Sequence, residues 1–211
     1  MKKGVLLLHG ITCNGVNMLY IAKALKKEGY ICCTPTYPST FKIIEDLGDK
    51  WLQKTVDSFC EKHDFDQISI VAHSMGGLLT RRYLKTHGTS KVEHAVFIGT
   101  PNHGSQIADK IGNWWLYRKI FGPAGKQLKT NKGIAITLGP APIPIGVIAG
   151  TKSNWHLGRL LPHPNDGKVS TESAHLEGMK DYVEVHRSHM GLLYDESVTK
   201  HIVNFLNGEE L

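Results

Sequence analysis

The sequence is short of several things that would place a protein quickly. It has four cysteines in 211 residues, Cys13, Cys32, Cys33 and Cys60, and no two form a C-x-x-C pair. Histidine and cysteine are nowhere clustered at the spacing of a zinc site, so no metal is expected. The thiols read as reduced and mostly buried, in a reducing compartment. On a strand, the adjacent Cys32 and Cys33 face opposite sides. Long apolar runs are absent too. The opening MKKGVLLLHG puts two lysines ahead of an apolar run at 5–8. That run is too short for a signal peptide, and no small-residue cleavage site follows it. No stretch is long enough to cross a bilayer. A cytoplasmic protein whose first strand begins at once is the expectation. Acidic residues are the minority, with 19 Asp and Glu against 25 Lys and Arg, a formal net charge of +6. The basic residues are scattered, and the densest stretch, 117–132, carries no nucleic-acid motif. They read as a solvated face with no nucleic-acid partner, mildly favouring anionic ligands or surfaces.

Hydrophobic residues make up 41% of the chain and charged residues 21%, an ordinary balance for a globular domain with a sizeable core. Repeats, low-complexity tracts and linkers are absent. What is present is an alternation of apolar runs and amphipathic segments. Strands are expected at 4–8, 30–36, 67–72, 92–98, 145–149 and 181–186. Between them, helical spacing predicts helices over 17–27, 43–63 (broken near Gly48), 75–86 and 197–206. The stretch 100–144 is less regular. The pattern predicts one α/β domain over 1–211, with a mostly parallel sheet of about six strands and helices on both faces.

The motif that carries chemistry is IVAHSMGGL, 70–78. A buried-type strand runs through Ala72, Ser74 and Gly76 into a helix. A G-x-S-x-G elbow presents a serine hydroxyl on such a strand-to-helix turn, and its flanking positions must be small because strand and helix nearly touch. Alanine at the first position keeps that condition. The other reading is a serine that merely caps the helix. If Ser74 is a nucleophile, the helix N-terminus supplies backbone N–H groups for a developing oxyanion, with Met75 the first.

A serine hydroxyl needs a base and an orienting acid, and in this fold the chain order is serine, acid, histidine. For the acid, HPNDGKVSTESAHL after the fifth strand offers Asp166. Asp before Gly is also a common turn. Glu172 is the nearest rival but reads as helical, while Asp181 and Asp195 lie too late or on the wrong side of the last strand. For the base, VEVHRSHMGLLYDESV offers His186, ending the strand, and His189, in the loop beyond it. A loop residue turns back over the sheet edge more easily, which favours His189. The second oxyanion donor is expected from LLLHGITCNG, as the backbone N–H of Ile11, with His9 shaping that loop by hydrogen bonding.

With these residues in order, the sequence resembles the α/β-hydrolase superfamily, and within it small bacterial lipases and esterases. HGI, AHSMGG, GTPNHGS, NDGKVSTESAHL and SHMGLLYDESVTKHIVNFL carry the likeness along nearly the whole chain. The resemblance implies a Ser74–Asp166–His189 triad, oxyanion donors at Ile11 and Met75, and no metal or cofactor. It implies cleavage of carboxylic esters of a small-molecule or lipid-like substrate through an acyl-enzyme. A thioesterase, amidase or acyltransferase would use the same parts, and a non-catalytic binding protein could sit on the same scaffold. The segment 105–144 matches no lid of the family. It carries Trp114, Trp115, Tyr117, Ile120 and Phe121, which either pack on the sheet as a helix or form a short lid or acyl-pocket insertion. Trp155, Leu160 and Leu161, in the loop before Asp166, are candidates for an opposite wall. Arg118 and Lys119 would tolerate an anionic or interfacial surface, so peripheral contact with lipid is compatible with this face.

Overall fold

The computed structural model describes residues 3–153 and 156–211. Six strands form one sheet: β1 (Gly4–Leu8), β2 (Ile31–Cys33), β3 (Ile68–His73), β4 (Val92–Ile98), β5 (Ile145–Gly150) and β6 (Asp181–Val185). Their order is β2-β1-β3-β4-β5-β6, and every pairing is parallel. The helices between them are α1 (Leu19–Lys27), α2 (Ile44–Asp46), α3 (Gln53–His63), α4 (Met75–His87), α5 (Gln106–Ile111), α6 (Trp115–Lys126), α7 (Thr171–Ala174) and α8 (Glu196–Leu206). This is the parallel sheet with helices on both faces that the alternating pattern predicts, and it has the compact α/β-hydrolase form that the resemblance implies.

The wholly apolar strands follow from burial on both faces. Side chains alternate across a strand, so β1 sends Leu6 and Leu8 to one face and Val5 and Leu7 to the other. The first face is covered by α2, α3 and α4, and the second by α1 and α8. All four of these β1 side chains are fully buried, each contributing about 2 kcal/mol by leaving water. The edge strands β2 and β6 are only partly buried, and β6, DYVEV, mixes in charged residues.

Two expectations change in detail. The 43–63 helix does not break at Gly48; it widens into a π-helical stretch at Leu47–Leu52 between α2 and α3. A Cβ on Gly48 would lie 2.7 Å from Arg82 Cγ, so the widened turn sits close against α4. The cysteines are not mostly buried: Cys60 is, whereas Cys13, Cys32 and Cys33 are half-buried, and all four are free thiols. Cys32 and Cys33 do pack against opposite faces of the sheet.

The chain runs from β1 outward to β2 and then back across to β3. That reversal opens a crevice beyond the carboxyl ends of β1 and β3, the place where ligands bind in open parallel sheets. No helix among the described residues is long and apolar enough to cross a membrane.

Candidate active site

Ser74 stands at the reversal, between β3 and α4. Its backbone has φ 54° and ψ −123°, a conformation L-residues rarely adopt, and one that costs about 1–3 kcal/mol unless its surroundings enforce it. They do. The Ser74 N–H donates to the Ile98 carbonyl at 2.9 Å, which fixes the turn to the end of β4. On the other side, a Cβ at Gly76 would lie 3.0 Å from the Leu8 and His9 carbonyl oxygens. The helix therefore presses on the β1 loop, and only a small residue fits. Ser74 makes no capping hydrogen bond to α4, which removes the reading of it as a simple helix cap. Its side chain instead lines a cavity with Gly10, Ile11, His73 and His189.

Asp166 lies in the loop after β5 and divides its oxygens between two tasks. Oδ1 accepts the backbone N–H groups of Lys168 and Val169, both at 2.8 Å. This is the turn that an Asp-Gly sequence forms on its own. Oδ2 accepts His189 Nδ1–H at 2.7 Å. The turn and the contact to His189 thus use different oxygens of one carboxylate. The neighbouring Asn165 side chain reaches the carbonyls of Gly158 and Pro162 and accepts from Gly167 N–H, which stiffens the loop.

His189 follows β6 and is buried. Its N–H donates to the Asp166 carbonyl at 2.9 Å, and its own carbonyl accepts from His73 Nε2–H at 3.1 Å. With Nδ1–H held by Asp166, Nε2 is the basic nitrogen of the ring. No hydrogen bond joins it to Ser74, though both line the cavity. The rivals lie elsewhere. His186 is exposed and meets Thr151 Oγ1 at 3.2 Å. Glu172 is exposed on α7 and lines a separate groove with His175 and Tyr182.

Ile11 and Met75 supply the two backbone N–H groups expected to face an oxyanion. Neither donates to a protein acceptor among the described residues. The Ile11 loop is shaped by His9, whose Nε2 accepts from Tyr37 N–H at 3.1 Å and whose Nδ1–H donates to the Gly10 carbonyl at 2.7 Å. The Tyr37 ring stacks on His9 at 4.0 Å, and its hydroxyl donates to the His9 carbonyl. Burial holds the His9 pKa below its ordinary value, so the ring stays neutral and keeps this donor–acceptor pattern.

The walls differ from expectation. Trp114 and Trp115 are 64% and 72% exposed, Leu160 is also exposed, and none of the three lines the cavity. Trp155 lies outside the described residues. The apolar wall is made by Ile107, Ile111, Tyr117, Phe121 and Leu128. On α6, Tyr117 and Phe121 are four residues apart and stack at 4.4 Å, which turns them inward and the tryptophans outward. Sequence reasoning also missed His73. It is buried beside His189, with its pKa well below the ordinary value through burial first and the nearby His189 second. The signal for it was its place as the last residue of a buried strand. Among the described residues, no group of three or more His, Cys, Asp or Glu could hold a metal ion.

With this geometry in view, similarity to known proteins becomes informative. Residues 4–121, more than half of the chain, match the model of a family described as the alpha/beta hydrolase fold. Among solved structures, the mature form of the Bacillus licheniformis lipase BlEst2 superposes with a TM-score of 0.78 at 20% identity, covering 100% of this chain and 93% of that one. Aspergillus fumigatus lipase B gives a TM-score of 0.75 at 16% identity, covering 99% of this chain and 53% of that one. A thermophilic esterase from Thermogutta terrifontis gives 0.67 at 14% identity, covering 99% and 90%. At these identities the likeness is one of fold.

Proposed function

The chain belongs to the alpha/beta hydrolase fold family, and from that premise we propose that it is a serine hydrolase of carboxylic esters, of the lipase and esterase type. The observation that carries the reading is the Ser74 turn. A strained serine faces the cavity that His189 also lines, and Asp166 holds the far nitrogen of that histidine. A residue that only filled space would not need a conformation costing about 1–3 kcal/mol.

In the first step Ser74 Oγ attacks the ester carbonyl carbon. A C–O bond forms, the carbonyl electron pair moves to oxygen, and the Ser74 proton passes to His189 Nε2. The N–H groups of Ile11 and Met75 hold the resulting oxyanion. Collapse breaks the bond to the leaving alcohol, which takes the proton from His189. Water then gives its proton to His189 and attacks the acyl-enzyme, and the released serine recovers that proton. Asp166 keeps Nδ1 protonated and stabilises the imidazolium. Residues 105–144, within a single domain, supply the apolar wall for the acyl or alcohol chain of a small-molecule or lipid-like ester.

A fluorophosphonate probe combined with para-nitrophenyl esters tests this reading. The probe is expected on Ser74, located by peptide mass spectrometry. Ser74→Ala is expected to lose turnover by about 10⁴-fold or more, as removal of a triad serine does, with circular dichroism unchanged. Labelling of another residue, or ester turnover that survives in Ser74→Ala, sinks the proposal.

A further inference from the structure

The cavity beside Ser74 holds one cationic side chain that the chemistry above leaves unused. Lys168 lines it, two residues past Asp166 on the same loop, and is half-buried. Its backbone N–H is tied to Asp166 Oδ1, so the position of its Cα is set by the same turn that sets the acid. Among the described residues, its ammonium has no carboxylate within ion-pair distance. The carboxylate nearest along the chain is Asp166, whose oxygens are taken by two backbone N–H groups and by His189. The charge of Lys168 is felt across the cavity. Burial pushes the Cys13 thiol up, and Lys168 pulls it back down. Lys168 also adds to the depression of His73, after burial and His189. Much of the remaining wall is aliphatic or aromatic. A partly desolvated cation in such surroundings gains when a group of opposite charge enters.

We propose that Lys168 determines specificity by selecting esters that carry one anionic group, which its ammonium holds while the reacting carbonyl sits at Ser74. This rests on the ester-hydrolase reading above. The apolar wall takes the hydrocarbon part of the substrate, and Lys168 takes a carboxylate or another singly charged oxyanion on either its acyl or its alcohol side. The net charge of +6 favours the approach of such a substrate.

Two matched ester pairs separate the possibilities. Mono-para-nitrophenyl glutarate against para-nitrophenyl pentanoate puts the charge on the acyl side. Meta-carboxyphenyl butyrate against meta-carbamoylphenyl butyrate puts it on the alcohol side. For at least one pair, the anionic-to-neutral ratio of kcat/KM is expected to fall about tenfold from wild type to Lys168→Met, the scale of one charge-assisted hydrogen bond. Lys168→Arg, which keeps the charge, is expected to retain the ratio. Damage to the fold would lower both members of a pair and leave the ratio as it was. Ratios that match in wild type and Lys168→Met for both pairs overturn the inference, and the ester-hydrolase reading stands if neutral esters are still cleaved at Ser74. If no ester is cleaved and Ser74 takes no fluorophosphonate label, both fall.

Discussion

The two sides of the cavity are built differently. On the side of Ser74 and His189, each residue is held at several points. The His189 ring is fixed by Asp166, its N–H by the Asp166 carbonyl and its carbonyl by His73. Ser74 is pinned between the end of β4 and the β1 loop. On the opposite side, α6 is held along one face. Tyr117 is buried at 6% exposure, while Trp114 and Trp115 stand largely in solvent. The helix then kinks at Gly122, with φ 59° and ψ −155°. A Cβ there would run into the Thr40 carbonyl oxygen at 1.7 Å, so the kink is fixed where the chain passes 40. The first side positions atoms, which needs bonds of defined length and direction. The second only has to present apolar surface, which is non-directional and tolerates change.

The largest effect is therefore expected where a directional bond is removed and the shape kept. Asp166→Asn retains the volume and the turn, but the amide NH2 then standing at the Oδ2 position donates and cannot accept Nδ1–H. The imidazole then turns or takes the other tautomer, and kcat is expected to fall by about 10³–10⁴-fold. His186→Ala, exposed and bonded to Thr151, is expected to stay within about threefold of wild type. Near-normal turnover in Asp166→Asn, beside a severe loss in His186→Ala, would break the comparison at its strongest point.

The next effect is on stability. A Cβ at Gly77 would meet the fully buried Thr100 side chain, 2.3 Å from Oγ1 and 2.6 Å from Cγ2. Thr100 has little room to move, so Gly77→Ala is expected to cost about 1–3 kcal/mol. Part of that is offset by the better helix propensity of alanine. A fall in Tm of several degrees in a thermal melt is the expected reading. An unchanged Tm would mean that the elbow is not tightly packed and that Ser74 is less firmly held than its surroundings imply.

Legibility in the sequence followed the same division. The turns that carry Ser74 and Asp166, and the loops of Ile11 and His189 beyond strand ends, were readable because each sits in a short stretch whose local chemistry admits few conformations. The parallel strands were readable because burial on both faces leaves a continuous apolar run. The 145–149 and 92–98 runs match β5 and β4 to within one residue. The wall was less readable because helical phase, set by tertiary contacts, decides which of five neighbouring aromatic or aliphatic residues faces the cavity. Composition drew attention to the two tryptophans, whereas α6 turns Tyr117 and Phe121 inward. Lys168 was missed for a related reason. A lysine in a loop has no local signature that separates solvent from cavity. The widened helix at 47–52 packs Gly48 close to Arg82, a contact with a residue far along the chain that no local pattern shows.

The smallest effects test the wall itself, through a pair of substitutions on one helix. Phe121 stacks on Tyr117 and lines the cavity, whereas Trp115, six residues earlier, is 72% exposed. A chain held against Phe121 gains up to about 0.8 kcal/mol for each methylene it buries. Two methylenes in contact with the ring therefore amount to roughly tenfold in kcat/KM. Phe121→Ala is expected to lower kcat/KM for para-nitrophenyl hexanoate about tenfold more than for the acetate, because the acetate does not reach the ring. Trp115→Ala removes a larger side chain from the same helix but takes nothing from the cavity. It is expected to change both esters by less than about twofold and to leave Tm within a degree or two. The two variants also control for each other. If loosening α6 as a whole were the cause, both would lower hexanoate and acetate turnover together. If Trp115→Ala gave the chain-length-dependent loss and Phe121→Ala did not, the exposed aromatic face would be the one that meets the substrate, and the wall beside Ser74 would be core packing alone.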